Sequence, residues 1–217
     1  MARALSALTA LVALVSLGAQ AAVVERLVGP RPLLVLATML AFFTIWAGVA
    51  ALLVHGVAAL RGPLSAGWHG AALAWTALVG VAFHLLLAAE AGAPGSPFAS
   101  GLGWWSTQGL HTALPLLVLL HWLLAAPKAG LSWRHALLWL GLPLLYLLLA
   151  LAQAGAAGSS PYPFLDPSRL GWGGVARSVA GLLAAVLLLH GGIVGAARLM
   201  SGPRRRGASA PAGPRPR

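Results

Sequence analysis

Residues 107–126 read TQGLHTALPLLVLLHWLLAA, a run without Asp, Glu, Lys or Arg. A helix needs about 20 predominantly apolar residues to cross the hydrocarbon core, so this stretch predicts one transmembrane span. Within it Pro115 has no N–H to offer the carbonyl of His111, and its ring crowds that carbonyl. The helix is therefore expected to bend beside His111, which places an ionisable ring next to loosened backbone inside a membrane.

Working outward, five further runs reach spanning length, giving spans at about 4–24, 32–54, 68–89, 107–126, 133–153 and 178–197. The loops are short and marked by glycine and proline, as in VGPRP, RGPLSAG, AGAPGSP, APKAG and GAAGSSPYPFLDPSRLGWGG. The expected fold is an all-α polytopic helix bundle of six spans in one domain, residues 1–200. Residues 201–217, SGPRRRGASAPAGPRPR, read as a disordered basic tail. Composition agrees, with 59% hydrophobic and 8% charged residues, too apolar for a soluble domain of 217 residues. A second reading of the first run, MARALSALTALVALVSLGAQAA, is a signal peptide cleaved after Ala21, which would leave five spans. Its apolar length suffices for a retained helix, and the six-span reading is preferred.

The formal charge of +11 does not argue for nucleic acid, because the basic residues lie outside the apolar runs. With both termini cytoplasmic, the inner side collects Arg3, Arg61, Lys128, Arg134, Arg198, Arg204, Arg205, Arg206, Arg215 and Arg217, against Arg26, Arg31, Arg169 and Arg177 outside. That bias is the positive-inside pattern of a multi-pass protein in a cell membrane, with a bacterial cytoplasmic membrane expected. Trp68, Trp104, Trp105, Trp133 and Trp172 fall at span ends and read as interfacial anchors. With no cysteine there is no disulfide or thiolate site.

Polar side chains inside the spans are few. Thr44 lies in LAFFTIWAG about 18 Å along an ideal helix from Pro32, and its plainest reading is a hydroxyl bonded to the carbonyl of Leu40. Thr38 and Thr76 read the same way. His84 and His190 are expected to bond a neighbouring helix, whereas His55, His69 and His135 sit at span ends where water or headgroups satisfy them. His111 and His121 are separated on an ideal helix by about 80° and about 15 Å, too far to share a metal. Neither a metal site nor a cofactor is expected; haem held by histidines of two spans is a weaker alternative.

FFTIW around Thr44, GLHTALP around His111 and YPFLD at 162–166 follow one another in the order found in a known family. With LLVLLHWLLAAPK, WRHALLWL and LPLLYLL, they make residues from about 30 to 198 similar to the bacterial six-helix relatives of the androgen-induced and androgen-dependent multipass membrane proteins. Vertebrate members of that family are threonine hydrolases of fatty acid esters of hydroxy fatty acids. The resemblance implies a catalytic pair of Thr44 and His111; His84, His121, Tyr162 and Asp166 are the candidate substrate-binding residues beside them. The chemistry is coherent: a Thr hydroxyl becomes nucleophilic when a neutral imidazole accepts its proton, and an apolar site suits a lipid ester from the bilayer. On this reading YPFLD caps the site from the outer loop, and Asp166 either orients His111 or ends a turn before Pro167, the turn being favoured. The alternative is a non-enzymatic bundle that binds lipid or conducts a small molecule. The partners expected are the bilayer and a lipid or fatty acid ester, with no nucleic acid; oligomeric state is open.

Overall fold

The computed structural model describes residues 1–201, which fold into an all-α bundle with no strand among them. The basic tail read as disordered lies outside the described residues. The helices are α1 (Ala2–Val28), the short α2 (Pro32–Leu40), α3 (Phe43–Arg61), α4 (Ala66–Ala91), α5 (Gly101–Leu124), α6 (Trp133–Ala157) and α7 (Pro167–Ser201). All except α2 are long and apolar enough to cross a membrane, so the chain is built as a multi-pass membrane protein. Ala and Leu supply helix propensity and apolar surface throughout, while left-handed glycines such as Gly62 (φ 100°) and Gly158 (φ 73°) end α3 and α6.

Helices α1, α3, α4 and α5 form the tight half of the bundle. Small residues make the close approach possible: α1 buries Ser6, Thr9, Ala13 and Ser16 along one stripe, and α3 buries Ala47, Gly48, Ala51 and Ala58. Thus α1 is seated in the core along its whole length. Helix α7 docks on α4 and on the first turns of α6, and leaves a gap toward the bilayer side. Leu33, Leu60, Leu85, Leu188 and Leu199 stay exposed, as lipid-facing leucines should. Trp68, Trp104, Trp105, Trp133 and Trp172 are exposed near helix ends, in keeping with an anchoring role.

Two local departures from regular helix shape everything that follows. The second predicted span, 32–54, is broken at Ala41 and Phe42, and Phe42 is extended (φ −118°, ψ 127°). Three aromatic side chains satisfy the backbone groups that the break releases. The indole of Trp46 donates to Leu40 O (2.9 Å), the phenol of Tyr146 donates to Ala41 O (2.7 Å), and Phe43 N–H donates to the phenol oxygen of Tyr162 (3.1 Å). In addition, α4 and α5 each contain a π-turn, at Phe83–Leu87 and at Gly109–Ala113. The bend expected from Pro115 therefore takes the form of a widened turn just before the proline, with His111 at its centre.

Candidate functional site

The break in the second span moves Thr44 from the middle of a predicted helix to the first turn of α3. Its hydroxyl does not bond Leu40 O, which the Trp46 indole occupies. Instead Thr44 Oγ1 lies 3.1 Å from His111 Nε2, across from the π-turn of α5. The same break removes the difference in depth that ideal spans would impose on the two residues.

The tautomer of His111 follows from its other nitrogen. Nδ1 sits 2.9 Å from the carbonyl oxygen of Thr107, which only accepts, so in the neutral ring Nδ1 carries the proton. Nε2 then presents its lone pair to the Thr44 hydroxyl. Phe83, from the π-turn of α4, stacks on the imidazole with ring centroids 4.2 Å apart and fixes its plane. Gly80 lets the helices approach here: a Cβ at that position would lie 3.2 Å from His111 O and 3.3 Å from Pro115 Cβ and Cγ. Gly109 performs the same service against α1, where a Cβ would collide with the Ser16 side chain.

Two cavities meet at this pair. One lies between α3, α4, α6 and α7 and is almost entirely apolar, with Leu78, Val79, Leu147 and Leu182 among its walls. The other brings Gln20, Thr38, Glu90, Ser96 and Thr107 into a mainly apolar wall on the opposite side. Thr44, Phe83, Leu87, His111 and Tyr162 line both. A hydroxyl bonded to a basic nitrogen thus stands where a greasy compartment touches one that carries several polar groups in its wall.

Of the other sequence-predicted residues, Tyr162 belongs to the site and three do not. Tyr162 is buried at the mouth, stacked on Phe164 (5.1 Å) and edge-on to Phe42 (5.8 Å). Burial pushes its phenol above the usual tyrosine range, opposed in part by the hydrogen bond from Phe43 N–H. That phenol oxygen accepts from Phe43, so its own O–H remains as a donor. Asp166 is a helix cap: Oδ1 accepts from Ser168 N–H (2.9 Å) and from the Ser168 hydroxyl (2.7 Å), with Pro167 in the first turn of α7 and Arg169 Nε 3.7 Å from Oδ2. Of the two readings left open for Asp166, this is the turn. Neither cavity is lined by it. The Ser168 hydroxyl holds its carboxyl below the usual carboxylate range.

His84 and His121 also take other places. His84 is exposed on α4, and its Nε2 donates to Thr112 Oγ1 (3.0 Å), which donates to Gln108 Oε1 (2.8 Å). That is the interhelical bond expected of His84, and His190 makes its own to Ala136 O (3.1 Å). His121 lies at the opposite end of the bundle, ten residues along α5 from His111 and bonded to Ser6 Oγ (2.9 Å). There it meets His55 and His69, which are not wetted span-end residues but fully buried. The sequence expectation erred because α3 runs on to Arg61, one and a half turns past His55, and α4 begins at Ala66, one turn before His69. His135 does fit its span-end reading: it is half-buried and completes a capping box with Ser132 at the start of α6.

Sequence reasoning did not find Phe83, or the part of Tyr146 in closing the broken span. The only signal for either was an aromatic inside an apolar run, which reads as packing. Comparison with protein-family models, curated proteins and solved structures returns no match, so the site rests on its own geometry and on the motifs quoted above.

Proposed function

We propose that this protein is an intramembrane lipid-ester hydrolase that uses Thr44 as nucleophile and His111 as general base. The observation that carries the reading is the 3.1 Å contact between Thr44 Oγ1 and an imidazole nitrogen whose lone pair is aimed at it by the Thr107 carbonyl. The resemblance of FFTIW, GLHTALP and YPFLD to the multipass threonine hydrolases supports the same pair. An acyl chain entering from the bilayer fits the apolar cavity, and the leaving alcohol and water fit the one with polar groups in its wall.

In the first half-reaction Thr44 Oγ1 bonds to the ester carbonyl carbon while its proton passes to His111 Nε2. Collapse of the tetrahedral intermediate breaks the bond to the alcohol oxygen, which takes the proton from His111. Water then attacks the acyl-threonine with His111 as base, and the proton returns to Thr44 as the fatty acid leaves. The carbonyl oxygen becomes an oxyanion in both steps, and the groups placed to stabilise it are the Tyr162 O–H, which lines both cavities with Thr44, and the positive end of α3.

The test is hydrolysis of a panel of lipid esters by purified wild type, Thr44→Ala, His111→Ala and Thr44→Ser. Loss in the first two variants with partial retention in Thr44→Ser is expected. Equal rates in all four would sink the assignment. Binding of a lipid ester at these cavities without turnover would instead favour a carrier or conducting bundle, with Thr44 and His111 as lining groups.

A further inference from the structure

At the end of the bundle that carries the N-terminus, three helices each contribute one histidine to a single point. His55 comes from α3, His69 from α4 and His121 from α5, and their side chains are 0%, 1% and 2% exposed. Their ring centroids lie 4.7 Å (His55 to His121), 4.9 Å (His69 to His121) and 5.7 Å (His55 to His69) apart. One nitrogen from each ring can be chosen so that all three lie within 4.8 Å of one another. Among the described residues this is the one group of three or more such side chains so placed.

The hydrogen bonds around the cluster are what single it out. Both nitrogens of His55, both of His69 and Nδ1 of His121 have no partner, although all are buried. Buried imidazole nitrogens are ordinarily satisfied, and three adjacent unsatisfied rings are unfavourable unless something occupies the point between them. The sixth nitrogen, His121 Nε2, is the one that is engaged, by Ser6 Oγ of α1 at 2.9 Å. If Nδ1 of that ring faces a ligand, Nε2 carries the proton and donates it to Ser6. Metal-bound histidines are oriented by just such a bond from the nitrogen that does not bind the ion.

We propose that His55, His69 and His121 form a binding site for a divalent transition-metal cation of the zinc type. Three neutral imidazoles suit zinc, cobalt, nickel or copper, and are a poor set for calcium or magnesium, which take oxygen ligands. Tetrahedral coordination at about 2.0–2.1 Å places ligand nitrogens about 3.3 Å apart, so binding draws the rings together by about an ångström through their side-chain torsions. The fourth position falls to water or hydroxide, whose charge offsets part of the ion's in a set that contains no carboxylate or thiolate. The site ties α3, α4 and α5 directly and α1 through Ser6, so an ion held there braces the tight half of the bundle. It departs from the sequence expectation of no metal. It stands apart from the hydrolase reading, since His55 is eleven residues along α3 from Thr44.

The experiment uses the full chain, purified in detergent with a non-histidine affinity tag and stripped of metal. Zn²⁺ content is measured by mass spectrometry after equilibration and dialysis, and Co²⁺ serves as the optical probe of tetrahedral nitrogen ligation. About one equivalent of Zn²⁺ and visible d–d bands are expected for wild type and for Thr44→Ala. His55→Ala, His69→Ala and His121→Ala should bind at least tenfold more weakly, Ser6→Ala about tenfold more weakly, and His135→Ala as wild type. Should a histidine variant fail to fold, the wild type remains decisive: Zn²⁺ should raise its Tm and a chelator should reverse the rise. No bound metal and no metal-dependent Tm in wild type, or histidine variants that bind as wild type does, would overturn the proposal.

Discussion

At the scale of single residues, Tyr162 and Asp166 stand four residues apart in one loop and do different work. Tyr162 is held by its ring between Phe42 and Phe164 and by the Phe43 N–H on its oxygen, which leaves its O–H as a donor on the wall shared with Thr44. If it donates to the oxyanion, Tyr162→Phe should lower kcat by about 10²–10³ with little change in KM, as loss of one such donor does elsewhere. Steady-state kinetics on the best ester of the panel checks this, and a variant that changes KM alone would show a binding role instead. Asp166 is expected to leave kinetics untouched and to act on stability. Its carboxyl titrates lower in the folded chain than in the unfolded one, because Ser168 and Arg169 favour the charged form. Its contribution is therefore complete at neutral pH and is lost as pH falls below about 4 toward the folded value. Comparing Tm of wild type and Asp166→Asn from pH 7 to pH 3 should show a gap that closes on acidification; a constant gap would mean that the charge is idle.

At the scale of elements, the useful lesson is where helices stop being α-helices. The six spans could be read because apolar length and glycine- or proline-rich loops report directly on crossing a membrane. The bend beside His111 could be read because Pro115 removes a donor. The break at Ala41 and Phe42 could not, since MLAFFTIW contains neither glycine nor proline, and the groups that stabilise it, Tyr146 and Tyr162, arrive from residues more than a hundred positions away. Likewise α7 extends back to Pro167 through PSRLGWGG, read as loop from its glycines and proline, with Gly171 taking the kink (φ 63°). Pro115 itself offers a prediction. Pro115→Ala restores an N–H four residues after His111, which favours closing the π-turn to regular helix and rotating the imidazole away from Thr44. The variant should melt higher, since an interior proline costs a helix about 3 kcal/mol, and should hydrolyse more slowly. A thermal melt and kcat on the same preparation decide it: unchanged kcat would mean that the π-turn is not what aims His111.

At the scale of the whole molecule, the chain separates two kinds of polar cluster at opposite ends of one apolar bundle. The Thr44–His111 pair lies with Glu25, Glu90 and Asp166 toward the end that holds the α6–α7 loop. The three buried histidines lie with Arg3, Arg61, Lys128 and Arg134 toward the other. Spacing along one helix shows neither pairing, because both depend on which helices are neighbours; Thr44 and His111 are joined in the sequence only by the resemblance of their motifs, and the histidine cluster has no such signal. The basic residues predict that the positive end faces the cytoplasm, in which case the cavities beside Thr44 lie toward the external side. The absence of cysteine makes this simple to test, since any single introduced thiol is the only one present. Ser159→Cys, in the α6–α7 loop, should react with a membrane-impermeant maleimide on intact cells, whereas Ala129→Cys, between α5 and α6, should react only after permeabilisation. The reverse pattern would turn the molecule over, place the ester site on the cytoplasmic side and leave the histidine cluster to draw its metal from outside.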